Sequence, residues 1–190
     1  HKAEDFLQYP FIVISPGVDT ELPVLKEARA KGIRVIGEIE LAFAFIHEPV
    51  IAITGTNGKT TTTTLMGEIF RKAFGDVFVG GNIGNPLINY VLEGKKARYI
   101  IVEISSFQLE TVETLRANTA ILLNITEDHL DRYRSYQEYI DAKYRIFERQ
   151  AEDDYVIISD TLAPPENGKA TVLLFSTARE LGEGRSSPRG

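Results

Sequence analysis

Cysteine and tryptophan are missing from the 190 residues, and there are one methionine and three histidines. Without cysteine there is no disulfide framework, thiol nucleophile or zinc ribbon, which suits a reducing compartment, the cytoplasm. An excess of basic charge is also lacking. Twenty-one Lys and Arg against 27 Asp and Glu give a formal charge of −6, which argues against nucleic acid as partner. No apolar run reaches the roughly 18 residues a membrane span needs. No charged-then-apolar leader follows His1, so no signal peptide is expected, and a first residue other than Met suggests a start inside a longer parent. At 43% hydrophobic and 25% charged, the composition is globular rather than disordered or fibrous.

What is present is an alternation of short buried-strand runs with helical ones, the pattern of an α/β fold with a mostly parallel sheet and flanking helices. Phe11–Ile14 and Ile33–Ile36 read as strands. A helix with Pro23 in its first turn and Gly32 past its end lies between them, and a second helix covers Glu38–His47. Residues 1–48 thus look like the second half of a Rossmann-like domain, with the boundary at Glu48-Pro49. A second series occupies 49–176. Its strands are Val50–Ile53, Tyr99–Ile104, Thr119–Asn124, Tyr155–Ile158 and Val172–Phe175. Its helices include Thr61–Ala73, with Leu65, Met66, Ile69 and Ala73 on one face, and one starting at a Ser135/Glu138 capping box and running to about Arg149. Asn85-Pro86 reads as the cap and first turn of a short helix. Residues 177–190 lose periodicity and read as an irregular tail.

The sharpest local signal is Gly55-Thr56-Asn57-Gly58-Lys59-Thr60-Thr61, between a buried strand and a helix. Phosphates need inward-pointing N–H groups, close backbone approach and the positive end of a helix, and glycines in this position supply them. Lys59 can neutralise β- and γ-phosphates, and the Thr60 hydroxyl can ligate Mg²⁺. The spacing is the short G-x-x-G-K-T form, since Ile53 stands where the commoner form has its first glycine. No Asn-Lys-x-Asp guanine reader appears, so a GTPase is not expected.

Glu103 closes an otherwise apolar strand. A buried carboxylate there calls for a partner such as a metal ion, whereas on an edge strand it would face solvent. Asp128-His129-Leu130-Asp131 leaves a central strand at the same sheet edge, where open α/β sheets bind ligands. The cluster can hold metal, substrate or both, or be a hydrogen-bonded loop. Lys143 falls at the centre of a helical stripe of Tyr136, Tyr139, Ile140 and Phe147. Either its stem snorkels, or its amine is held among apolar groups with a lowered pKa and made reactive. Gly80–Gly84 with Asn82, and Ser15-Pro16-Gly17, are weaker loop signals for ligand contact. The neighbouring tyrosines read as core.

Together, Ser15–Val18, Gly37–Leu41, Gly55–Thr61, Gly81–Gly84, Glu103–Glu110, Asn124–Asp131 and Ala142–Ile146 resemble the Mur ligases of peptidoglycan synthesis. The Ser-Ser-Phe-Gln-Leu-Glu string after Glu103 resembles the D-glutamate-adding branch. The resemblance implies a cytoplasmic, monomeric, ATP-dependent amide ligase acting on UDP-N-acetylmuramoyl-L-alanine and D-glutamate through an acyl phosphate, with no nucleic-acid or membrane partner. It implies Lys59 on the ATP phosphates, Thr60 and Glu103 on one Mg²⁺, and His129 with a carbamylated Lys143 on a second. Ser15, Pro16, Gly17, Asn82, Ser105 and His129 would touch the muramoyl nucleotide. Family members carry a complete first domain and a third domain that these motifs do not cover, so the chain by itself is expected not to turn over. A nucleotide-binding module without ligation, or another Mur ligase or folylpolyglutamate-type ligase, are the alternatives.

Overall fold

The computed structural model describes residues 3–128, 132–166 and 168–181. A short helix α1 (Ala3–Phe6) leads into strand β1 (Phe11–Ile14), helix α2 (Pro23–Ala30) and strand β2 (Arg34–Gly37). β1 and β2 pair in parallel as a two-stranded sheet. Pro23 opens α2, where a missing N–H costs nothing. Helix α3 covers Glu38–Phe43 and stops short of the expected His47. Then come β3 (Val50–Thr54), α4 (Lys59–Phe74), β4 (Val77–Gly81), α5 (Leu87–Glu93), β5 (Tyr99–Glu103) and α6 (Ser106–Leu109). The series ends with β6 (Thr119–Leu122), α7 (Tyr136–Tyr144) running into a 3₁₀ turn at Arg145–Phe147, β7 (Tyr155–Ser159) and β8 (Thr171–Phe175).

β3 to β8 form one parallel six-stranded sheet in the order β4-β5-β3-β6-β7-β8. Both faces are covered, which is why β3 is buried throughout and apolar up to Thr54 rather than alternating. On one face Ile51, Ile53, Ile101 and Ile121 meet Met66 and Phe70 of α4. On the other, Ala52, Val102, Leu122 and Ile158 meet Ile39, Leu87, Leu109 and Ile146 from α3, α5, α6 and the 3₁₀ turn. Among the described residues, no helix is long and apolar enough to cross a membrane.

Four local expectations are corrected. In α4 the buried positions are Thr63 and Gly67, and Met66 packs on the sheet as expected, whereas Leu65 and Ile69 are 57% and 51% exposed and Ala73 is exposed too. Gly67 permits a close approach that apolar periodicity does not register, since a Cβ there would lie 2.6 Å from Val79 Cγ2. Gly80 and Gly81 belong to edge strand β4 rather than to a loop. Pro86, not Asn85, occupies the cap position of α5, with no side-chain cap. At α7, Ser135 Oγ accepts the Glu138 N–H, but the Glu138 carboxylate accepts from Arg134 N rather than closing a box.

The two sheets are tied together through α3. The Glu38 carboxylate accepts the Ile88 N–H at 2.7 Å, in the first turn of α5. Glu40, almost fully buried, accepts from Glu113 N, Thr114 N and Thr114 Oγ1 at 2.6–3.0 Å.

Candidate phosphate and metal site

The site grows from the carboxyl ends of the central strands, which lie level: Ile53 pairs with Glu103, Gly81 with Glu103, and Thr54 with Leu122. The turn after β3 runs through Gly55–Gly58, and Gly58 takes a left-handed backbone (φ 82°) to start α4 at Lys59. The helix begins two residues earlier than the sequence suggested. The first N–H groups of its 16 residues therefore point at the turn, along with the helix dipole.

This turn is held by the segment after β6, whose motif the sequence shows but whose contacts with the turn it does not. Asn124 clamps Asn57 through its amide, accepting the Asn57 N–H at 2.9 Å and donating to its carbonyl at 3.0 Å. Thr56 N donates to the Asn124 carbonyl at 3.0 Å. The Thr56 hydroxyl meets the buried Tyr139 hydroxyl at 3.0 Å and accepts the Thr126 N–H at 3.1 Å. Lys59 Nζ donates to the Thr56 carbonyl at 2.8 Å.

Glu103 is 1% exposed and lies between two neighbours in the sheet, which excludes the solvent-facing edge alternative. Its oxygens are taken separately: Thr60 Oγ1 donates to one and Asn82 Nδ2 to the other, both at 2.8 Å. Three expected site residues from three segments thus meet. Asn82 is held by its backbone as well, its N–H donating to the Glu103 carbonyl at 2.9 Å.

Lys143 is 1% exposed, so its stem does not snorkel to solvent. Its ammonium lies 4.6 Å from the Tyr139 ring centroid and donates to the Gly55 carbonyl at 2.9 Å. Burial, reinforced by the Lys59 charge and opposed by Asp128, lowers its pKa to about 7. The helical stripe therefore delivers an amine to the phosphate turn from 88 residues away.

Ser15 and Pro16 line a cleft of about 320 Å³ together with Glu38, Gly81, Asn82 and Gln108. Gly17, the next residue of the turn, is not among the lining residues. Ser105 lies beside it as the cap of α6, in a capping box: its hydroxyl accepts the Gln108 N–H, while Gln108 Oε1 accepts the Ser105 N–H at 3.0 Å. The Ser-x-x-Gln spacing carries that signal in the sequence. Thr61 lies exposed in the first turn of α4. His129 and Asp131 lie outside the described residues, as do 182–190 of the tail. Among the described residues, no group of three or more His, Asp and Glu forms a metal cage.

The model of the Mur ligase middle domain matches residues 53–180. A curated relative from Geotalea daltonii, named UDP-N-acetylmuramoylalanine–D-glutamate ligase, is 53% identical over the whole chain and 43% of its own length. One of the same name from Citrifermentans bemidjiense is 54% identical over 98% of the chain and 42% of its own length. The chain therefore spans less than half the length of these relatives. Among solved structures, the MurF ligase of Thermotoga maritima in complex with ADP superposes with a TM-score of 0.58 at 15% identity, covering 92% of this chain and 52% of that one. The UDP-N-acetylmuramate–alanine ligase MurC of Thermotoga maritima gives 0.54 at 21%, covering 94% and 41%. At such identities the superpositions speak for the fold. The family match covers more than half of the chain and agrees with the strand–turn–helix geometry: the chain belongs to the Mur ligase family.

Proposed function

We propose that the chain carries the phosphate and metal chemistry of an ATP-dependent ligase joining D-glutamate to UDP-N-acetylmuramoyl-L-alanine in peptidoglycan precursor synthesis. The observation that carries this reading is the Thr60–Glu103–Asn82 contact, in which the residue after the P-loop lysine is bonded to a buried carboxylate on the next strand. The shared name of relatives at 53–54% identity supports the choice of substrate.

Lys59 and the N–H groups of Gly55, Thr56, Asn57, Gly58, Thr60 and Thr61 hold the ATP phosphates. The Thr60 hydroxyl and Glu103 carboxylate are hard oxygen donors that suit Mg²⁺, a metal that commonly takes one or two protein ligands and completes its shell with phosphate and water. When bound, Mg²⁺ supplies charge neutralisation on the phosphates. The γ-phosphoryl group passes to the L-alanyl carboxylate and ADP leaves. The D-glutamate amine then attacks the acyl phosphate, forming the amide and expelling inorganic phosphate. Positioning and charge are what such a step asks of the protein.

Ser15, Pro16, Gly17, Asn82, Ser105 and His129 form the muramoyl-nucleotide side, with residues 1–48 as part of that substrate domain and 49–176 as the ATP domain. Lys143, neutral in part near pH 7, reacts with CO₂, releasing a proton to leave an N-carboxylate. With His129 this gives oxygen and nitrogen donors for a second Mg²⁺. The protein acts as a cytoplasmic monomer on small molecules.

Titration of the chain with Mg·ADP and with UDP-N-acetylmuramoyl-L-alanine tests the reading, and both are expected to saturate. Binding of Mg·ADP alone would reduce the chain to a nucleotide module. Preference for a pteroate substrate would move it to the folylpolyglutamate type. A ¹³C carbamate resonance in ¹³CO₂-equilibrated protein, absent from Lys143→Ala, tests the modification directly.

A further inference from the structure

Ser15–Val18 is a tight turn with the composition of type II: Pro16 in second place, Gly17 at φ 89° in third, and Val18 N donating to the Ser15 carbonyl at 3.2 Å. The carbonyls that leave this turn, those of Gly17 and Val18, are both taken by Arg132, which donates from Nη1 at 2.5 Å and Nη2 at 3.1 Å. Nη2 also reaches Glu110 at 3.2 Å, and the guanidinium lies 4.5 Å from the Phe107 ring centroid. Two carbonyls, a carboxylate and a ring face fix the plane of one side chain. An ammonium group could not meet all four.

Arg132 lies on the connection between β6 and α7, whereas the turn belongs to the two-stranded sheet. On the far side of the turn, Ser15 and Pro16 make one wall of the 320 Å³ cleft, and Asn82, bonded to Glu103, stands on the other. The walls come from different sheets, so the width of the cleft depends on side chains that cross between them.

We propose that Arg132 is a positioning residue for the uridine-nucleotide substrate, holding the Ser15–Gly17 turn at the height where it and Asn82 reach the same ligand. It touches no reacting atom. The inference rests on the proposed function, which makes this cleft the muramoyl-nucleotide side. Without Arg132 the turn samples other positions, and apparent affinity falls in proportion to the fraction left in place. The phosphate turn, held by Asn124 and Tyr139, is untouched.

Calorimetry on the wild-type chain, Arg132→Ala and Arg132→Lys, with UDP-N-acetylmuramoyl-L-alanine and separately with Mg·ADP, provides the test, together with amide exchange at Val18. Arg132→Ala is expected to bind the muramoyl nucleotide about tenfold more weakly, as when about a tenth of the molecules keep the turn in place. Mg·ADP affinity should hold within about twofold, Val18 should exchange faster, and Val50–Thr54 should stay protected. Arg132→Lys should recover little, because charge without the fork and the stack does not hold two carbonyls. It carries the test if the alanine variant fails to fold. Equal losses for both ligands, full recovery by lysine, or unchanged muramoyl-nucleotide affinity would each overturn the assignment. A wild-type chain that binds Mg·ADP but not the muramoyl nucleotide would instead remove the functional reading itself.

Discussion

The two ends of the six-stranded sheet each bury a carboxylate, and they treat it in opposite ways. At the carboxyl ends of the strands, Glu103 receives a threonine hydroxyl and an asparagine amide, both neutral. Among the described residues no cation is paired with it. At the amino ends, Asp154, with 0% exposure, receives the Arg116 guanidinium at 2.7 and 3.2 Å, the Asn118 amide at 3.3 Å and the Ala151 N–H at 2.7 Å. Burying an ion without a counter-ion is costly. The amino end meets that cost within the chain. The carboxyl end leaves Glu103 with neutral donors alone, beside the turn proposed to hold phosphates. Charge balance, more than burial, separates the structural acid Asp154 from Glu103, the acid proposed to meet a metal. Glu40 lies between the two cases: the Arg34 guanidinium stands 4.0 Å from its carboxylate, and three donors from Glu113 and Thr114 take its oxygens.

The hardest test of that contrast is Glu103→Gln. The Thr60 hydroxyl can turn from donor to acceptor, so the amide fits and the melting temperature should hold or rise. Mg²⁺-dependent ADP affinity, read by calorimetry, should fall about a hundredfold, or about 2.7 kcal/mol. Loss of the fold with binding preserved would make Glu103 a second Asp154.

Asp154→Asn should do the reverse. Its amide sets donor against donor at Arg116 or Ala151, and chemical denaturation should show a loss of about 2 kcal/mol with Mg·ADP affinity unchanged. Acid gives an independent reading. Burial pushes the Asp154 carboxyl up, but Arg116, the Ala151 N–H and Asn118 outweigh it and hold its pKa below the ordinary value. A folded-state pKa that is depressed contributes stability above the unfolded value of about 3.9, and that stability disappears as pH falls through the folded value. The gap between wild type and Asp154→Asn should therefore narrow below about pH 4. A gap that stays constant would mean the carboxylate charge does no structural work.

The two ends also differ in how far the sequence revealed them. The phosphate turn was legible because glycine, lysine and threonine stand together, and Glu103 because it is a lone acid in an apolar strand. Lys143 was legible because it interrupts a stripe at helical spacing. These signals are local. Asn124 and Arg132 act on residues 67 and 114–115 positions away, and no window along the chain contains both partners. They became visible only when parallel pairing set β6 beside β3 and brought the segment that follows across to the turn after β1. The same limit displaced the face of α4: Met66 packs where the apolar pattern puts it, but close approach at Gly67 is a property of the packed helix rather than of that pattern.

Asn124 gives the smallest predicted effect and the finest test of the contrast, because no charge is involved. Its amide holds the Asn57 backbone through both an accepted and a donated hydrogen bond, so the turn is shaped without a ligand's help. Asn124→Ala should therefore weaken Mg·ADP about fivefold, or about 1 kcal/mol, the size of one or two neutral hydrogen bonds recast as ordering on binding. Asn124→Asp keeps the acceptor for Asn57 N–H but loses the donor to its carbonyl and adds negative charge beside the phosphates, so it should bind more weakly than alanine. Thermal unfolding should move little for either. If Asn124→Ala instead lowered stability as Asp154→Asn does and left ADP affinity intact, the carboxyl end would be as structural as the amino end, and charge balance would no longer distinguish the two.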